Sequence, residues 1–83
     1  MKHASAAILR QIEGVLAELR TLEGLKEKSP GAFYRNGSAF LHFHEDPAGI
    51  FADLKVEGDW KRRAINNRAT QAALLRDVRR LIA

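Results

Sequence analysis

The sequence contains no cysteine. Neither a disulfide framework nor a cysteine-based zinc site can therefore be built, and the absence fits a reducing, cytoplasmic location. No apolar run approaches the roughly 20 residues that a membrane-spanning helix needs, so no membrane partner is expected. The opening residues Met1 to Ser5 lead into an amphipathic pattern and not into the apolar segment of a signal peptide. Serine is scarce: Ser5, Ser29 and Ser38 are the only ones, and none is spaced to act as a nucleophile with a histidine and an aspartate. Gly31, Gly37 and Gly49 stand in turns and form no phosphate-cradling loop. There is no internal repeat and no low-complexity segment. These absences leave no assigned catalytic residue and no expected cofactor, and the enzyme question stays open.

The chain has 83 residues, enough for one domain. A domain of this size buries only about 60% of the surface its unfolded chain exposes. Pairing of two copies is an economical way to bury more, so a homodimer is the expected partner state, with a small ligand or another protein as further candidates. Charge is unevenly spread. Residues 1–54 carry six Lys and Arg against seven Asp and Glu, whereas residues 55–83 carry eight against three. Such a basic end admits nucleic acid as a partner without favouring it.

The stretch from Ser38 to Val56 reads as a β-hairpin. Asp46-Pro47-Ala48-Gly49 is a turn: the aspartate can bond to backbone two residues on, the proline presets φ, and the glycine tolerates positive φ. The flanking runs alternate in polarity and are rich in aromatic and β-branched residues. Alternation puts Ala39, Leu41 and Phe43 on one face of the first strand, and Phe40, His42 and His44 on the other. On the second strand Ile50, Ala52, Leu54 and Val56 oppose Phe51, Asp53 and Lys55. Pairing Glu45 with Ile50 joins the two apolar sets and sets His42 across from Asp53 and His44 across from Phe51. A glycine bulge at the turn would slip this register by one residue. The first register is preferred because it buries more apolar surface.

Around the hairpin, Ile8, Ile12, Val15, Leu19 and Leu22 recur at helical spacing and predict a helix from about Ser5 to Leu22, ended near Gly24. Gly14 lies inside it and reads as a close-packing point against the sheet, with a helix–helix contact as the alternative. Lys26 to Gly31 is a polar connector containing a turn. Ala32 to Arg35 is a short strand joined to the hairpin by Asn36-Gly37, a two-residue turn signal. Residues 60–65 can form a short helix or, preferably, an edge strand with Trp60, Arg62 and Ala64 on one face. Leu74, Leu75, Val78, Leu81 and Ile82 mark a final helix, starting at Arg68 or Thr70 and capped by Asn67 or Thr70. The expected fold is α+β in two layers: helix, a three- or four-stranded antiparallel meander, helix.

Function is sought on the sheet face opposite the helices. Phe40, His42, His44, Phe51 and Asp53 form the candidate ligand- or partner-binding set, because the face they share is too aromatic for an indifferent surface. His42, His44 and Asp53 are also a candidate metal set, since two imidazoles and a carboxylate are a first shell used for zinc or non-haem iron. The same three residues are the candidates for acid–base chemistry. Lys61, Arg62, Arg63 and Arg68 are the candidate phosphate contacts.

The run Phe33-Tyr-Arg-Asn-Gly-Ser-Ala-Phe-Leu-His-Phe-His44, followed by Gly49-Ile-Phe-Ala-Asp-Leu54, resembles small bacterial proteins grouped as the luciferase-domain family. The resemblance covers roughly residues 24–56. It lies in the order of a glycine hairpin, an HxH strand, a glycine turn and an Ala-Asp-Leu strand, with a closing helix. It implies no light emission, because the family name carries no established activity. It does imply that His42, His44 and Asp53 belong to a shared cluster. This chain departs from the pattern in its short, strongly basic segment after the third strand.

Overall fold

The computed structural model describes all 83 residues, Met1–Ala83. In chain order the elements are β1 (Lys2–His3), α1 (Ala6–Gln11), α2 (Glu13–Arg20), β2 (Lys26–Ser29), β3 (Ala32–Arg35), β4 (Ser38–Asp46), β5 (Gly49–Val56), β6 (Asp59–Ala64) and α3 (Arg68–Ile82). The sheet is antiparallel, ordered β2-β3-β4-β5-β6, and β1 pairs with the end of β4 that β3 leaves free. The α+β class is as expected, but the sheet has six strands in place of three or four.

β4 and β5 pair Leu41 with Leu54, Phe43 with Ala52 and Glu45 with Ile50. The register preferred from the sequence is the one formed. Leu41, Phe43, Ala52 and Leu54 are at most 2% exposed, and they share one core with Ile12, Val15, Leu16 and Leu19 of the N-terminal helical segment and Leu74 and Val78 of α3. The sheet therefore has an inner face under the helices and an outer face carrying His42, His44, Phe51 and Asp53. Arginine–carboxylate pairs tie both sheet edges to the helices: Arg20 of α2 to Glu27 of β2 at 2.6 Å, and Arg63 of β6 to Asp77 of α3 at 2.9 Å.

The turn between β4 and β5 holds that register. Asp46 Oδ1 accepts a hydrogen bond from the Ala48 amide at 2.7 Å, as its turn chemistry demands. Gly49 takes φ +135°, and the Ile50 amide donates to Asn66 Oδ1 at 2.8 Å. A Cβ on Gly49 would lie 2.4 Å from that same oxygen.

Several expectations need correction. The polar connector Lys26–Gly31 contains strand β2, whose sequence Lys-Glu-Lys-Ser lacks apolar alternation because it is an exposed edge. The first helix is not continuous. It breaks at Ile12, whose φ −113° and ψ 26° leave the helical region, just before Gly14 weakens the helix further. Gly14 itself faces open space and packs against nothing within 4 Å. Phe40 is not on the outer surface. A register shift opposite Phe33 and Tyr34 makes it an extra residue in β4, and it joins the core at 4% exposure beside Leu41. Residues 59–64 form the preferred edge strand, entered through Glu57-Gly58 with both φ positive. The final helix begins at Arg68, with Asn67 as N-cap in a reciprocal box with Thr70.

Two substitutions test this account. Gly14→Ala should raise stability by about 0.5–1 kcal/mol in urea unfolding, because helix propensity improves with no new contact; a loss would mean the position is packed. Gly49→Ala should lower stability by about 1–3 kcal/mol, through the strained φ and the displaced Asn66 bond. An unchanged urea midpoint for Gly49→Ala would contradict the turn geometry.

Candidate functional site

The outer face draws its side chains from three separate parts of the chain. β4 supplies His42 and His44, and β5 supplies Phe51, Asp53 and Lys55, by simple alternation. β6 is placed by the Glu57-Gly58 turn, which pairs Lys55 with Trp60 and Asp53 with Arg62. β1 brings His3 opposite His44. β1 is held by its pairing with β4, by the Ala4 amide donating to the Phe43 carbonyl at 3.1 Å, and by the Ser5 amide donating to the Glu45 carboxylate. Glu45 is thus occupied in docking the start of α1.

The imidazoles cluster with Trp60. His3 stacks on His44 with ring centroids 4.9 Å apart, His42 meets His44 edge-on at 6.2 Å, and the Trp60 ring lies 5.0 Å from that of His42. Asp53 sits beneath them. Arg62 donates to both of its oxygens at 2.7 Å, and His44 Nε2 lies 3.2 Å from Oδ2. The Arg62 guanidinium holds the Asp53 carboxyl below the usual carboxylate range, with His44 and His42 adding to the effect. Desolvation, followed by repulsion from His44 and His3, disfavours the His42 imidazolium and lowers its pKa as well; Asp53 opposes this and Lys55 reinforces it.

The expected site is brought together in part. His42, His44, Phe51 and Asp53 share the outer face, and Phe40 leaves the set. His42, His44 and Asp53 do not converge as metal ligands, and no group of three or more His, Asp or Glu side chains is disposed to hold a metal ion. The carboxylate is instead clasped by Arg62, and the imidazoles stack. The basic residues do not form one patch. Arg62 is on the outer face with Asp53, Lys61 and Arg63 point to the helix side by register, Arg63 is paired with Asp77, and Arg68 begins α3.

Sequence reasoning missed His3, and it left Trp60 out of the set. A two-residue strand has no periodicity to detect. Trp60 was within reach, since recognising Glu57-Gly58 as a hairpin turn fixes its pairing with Lys55. The principal surface clefts are not lined by His42, His44 or Asp53, and they reach the outer face only at its margins, at Lys55 and at Lys26, Lys28 and Tyr34. One of about 360 Å³ runs along Arg35, Ser38, Phe40, Lys55 and Glu57. The histidine face is an open platform. No protein-family model matches the chain, and no curated protein or solved structure does either.

The lowered His42 pKa makes stability depend on pH. The folded state binds a proton at His42 less readily than the unfolded chain, so stability is present above the ordinary histidine value of about 6.5 and falls as pH drops through it. The contribution of Asp53 is lost only at lower pH, as its own depressed pKa is passed. Urea midpoints should therefore decrease between pH 7.5 and 5.5, and His42→Asn should flatten that decrease. An equally steep decrease in the variant would remove His42 as the cause.

Proposed function

We propose that the chain is a small binding module and that the outer face of its sheet engages an anionic partner. One observation carries the reading: four contiguous rings, His3, His44, His42 and Trp60, lie on a face that the helices leave uncovered. Trp60 remains 43% exposed there. Aromatic surface of this kind, rimmed by charge, is the mark of an interaction site.

The sign of the partner follows from the residues around the rings. Lys26, Lys55 and Arg62 share the face by strand register, and Lys28 by its place over the Tyr34 ring, with only two carboxylates, Asp46 and Asp53. Asp53 is neutralised by Arg62, whereas the three lysines make no ion pair. A second copy of the chain meeting this face would bring lysines against lysines, so charge supports an anionic partner over the homodimer. The His44–Asp53 contact also suits an acid–base pair, with Asp53 orienting the imidazole. The flat surroundings of that pair support binding in preference to turnover.

The test is a titration of isotope-labelled protein with a heparin-derived hexasaccharide as a generic polyanion. Amide and ring signals of His42, Phe51, Lys55 and Trp60 should shift, those of α2 and α3 should not, and Lys55→Ala should weaken binding several-fold. Shifts confined to the helices would put the working surface on the wrong side. Sedimentation of the same sample reads the other occupant: a dimer that buries Trp60 and excludes the polyanion would replace this reading with self-association.

A further inference from the structure

Resting on the reading of the outer face as the working surface, we infer that its partner is a single strand of nucleic acid, with bases laid on the rings and phosphates on the lysines. Cations and rings are combined on this face. Lys28 Nζ lies 4.7 Å from the centroid of Tyr34, and Lys55 Nζ lies 4.9 Å from that of Trp60. Each pair joins a π-face to a cation that no carboxylate neutralises. A nucleotide has the matching composition, a planar base joined to an anionic phosphate. Single strands are bound on such platforms because every base has a π-face to offer.

The spacing of these units suits a strand. Tyr34 is on β3 and Trp60 on β6, three strand intervals apart, which is roughly 14 Å across the sheet. Between them lie His42 and His44, and imidazoles also serve as stacking surfaces for unpaired bases. Across the sheet the order is Lys28, Tyr34, His42, Lys55 and Trp60, so rings and cations are interleaved over a width with room for a few nucleotides.

The distribution of ion pairs supports the same occupant. Every arginine–carboxylate pair other than Arg62–Asp53 involves Glu13, Glu18, Glu27 or Asp77, all on or against the helices. Unpaired cations also occur on the helix side, as at Arg10, Lys61 and Arg68, but only on the outer face do unpaired lysines lie over aromatic rings, Lys28 over Tyr34 and Lys55 over Trp60. A duplex would satisfy these lysines but keep its bases inside the stack, away from the rings. An acidic protein segment would likewise use the charges and leave the ring faces idle. This places nucleic acid on the sheet, not on the basic residues of the C-terminal third.

The chain supplies its own reporter, because Trp60 is its only tryptophan. Oligo(dT) of about 12 nucleotides should quench Trp60 fluorescence on binding at low salt, and affinity should fall steeply as salt is added. Trp60→Leu should reduce affinity by about tenfold with circular dichroism unchanged. The double change Lys28→Ala and Lys55→Ala should lower the log–log salt slope by about 1.4, two phosphate contacts on a single strand. A duplex of equal length should bind more weakly. Binding without quenching, an unchanged affinity for Trp60→Leu, or equal affinity for the duplex would overturn the inference. If heparin still shifts the outer-face signals while oligo(dT) does not bind, the binding-module reading survives and the nucleic-acid reading does not. Poly-glutamate that displaces oligo(dT) and binds Trp60→Leu as well as the unaltered chain would assign the surface to an acidic protein instead.

Discussion

The pairing of β4 with β5 is the constraint on which the rest of the molecule depends. Side chains alternate along a strand with period two, so a slip of one residue would exchange the faces completely. With Leu41 on Leu54 and Phe43 on Ala52, the inner face is apolar and the helices have something to bury. The same pairing sets His42 on Asp53 and His44 on Phe51. Core and candidate site are therefore two consequences of one register. The contact of Asn66 with the Ile50 amide, over a glycine that leaves no room for a side chain, connects that register to the approach of α3.

The two sides of the sheet use charge differently. On the helix side, arginines clasp carboxylates and connect elements that are distant in sequence, such as Arg79 with Glu18 and Arg63 with Asp77. Arginine suits this role because its planar fork meets a carboxylate with two bonds. On the outer side the only such clasp is Arg62 on Asp53, which supports His44 from below. The lysines there lie near rings in place of carboxylates. What sets the outer side apart is the placing of unpaired lysines over rings, and the proposed function rests on that combination.

The ring cluster also ties the N-terminal residues to the site. His3 is the only side chain of β1 that stacks in the cluster, and it does so because Ser5 and Ala4 are anchored to β4 by their backbone amides. A platform assembled from β1, β4 and β6 requires the whole sheet to be formed. That explains why the set of residues proposed from the hairpin alone was incomplete.

The sequence by itself determined the elements that carry a local signal. Alternation from Leu41 to Leu54, the Asp-Pro-Ala-Gly and Asn-Gly turns, and the helical spacing of the apolar residues each encode a preference within a few neighbours. Those preferences were enough for the α+β class, the central register and the outward placement of His42, His44, Phe51 and Asp53. Tertiary structure decided what no local pattern records. The bulge turned Phe40 into the core, the exposed edge allowed Lys26–Ser29 to be a strand without apolar residues, and Ile12 broke the first helix. It also decided that Asp53 would be claimed by Arg62, that His3 would stack on His44, and that Trp60 would complete the platform. The physical reason is the same in each case: these contacts join residues far apart in the chain, and their free energy exists only once the sheet has brought them together.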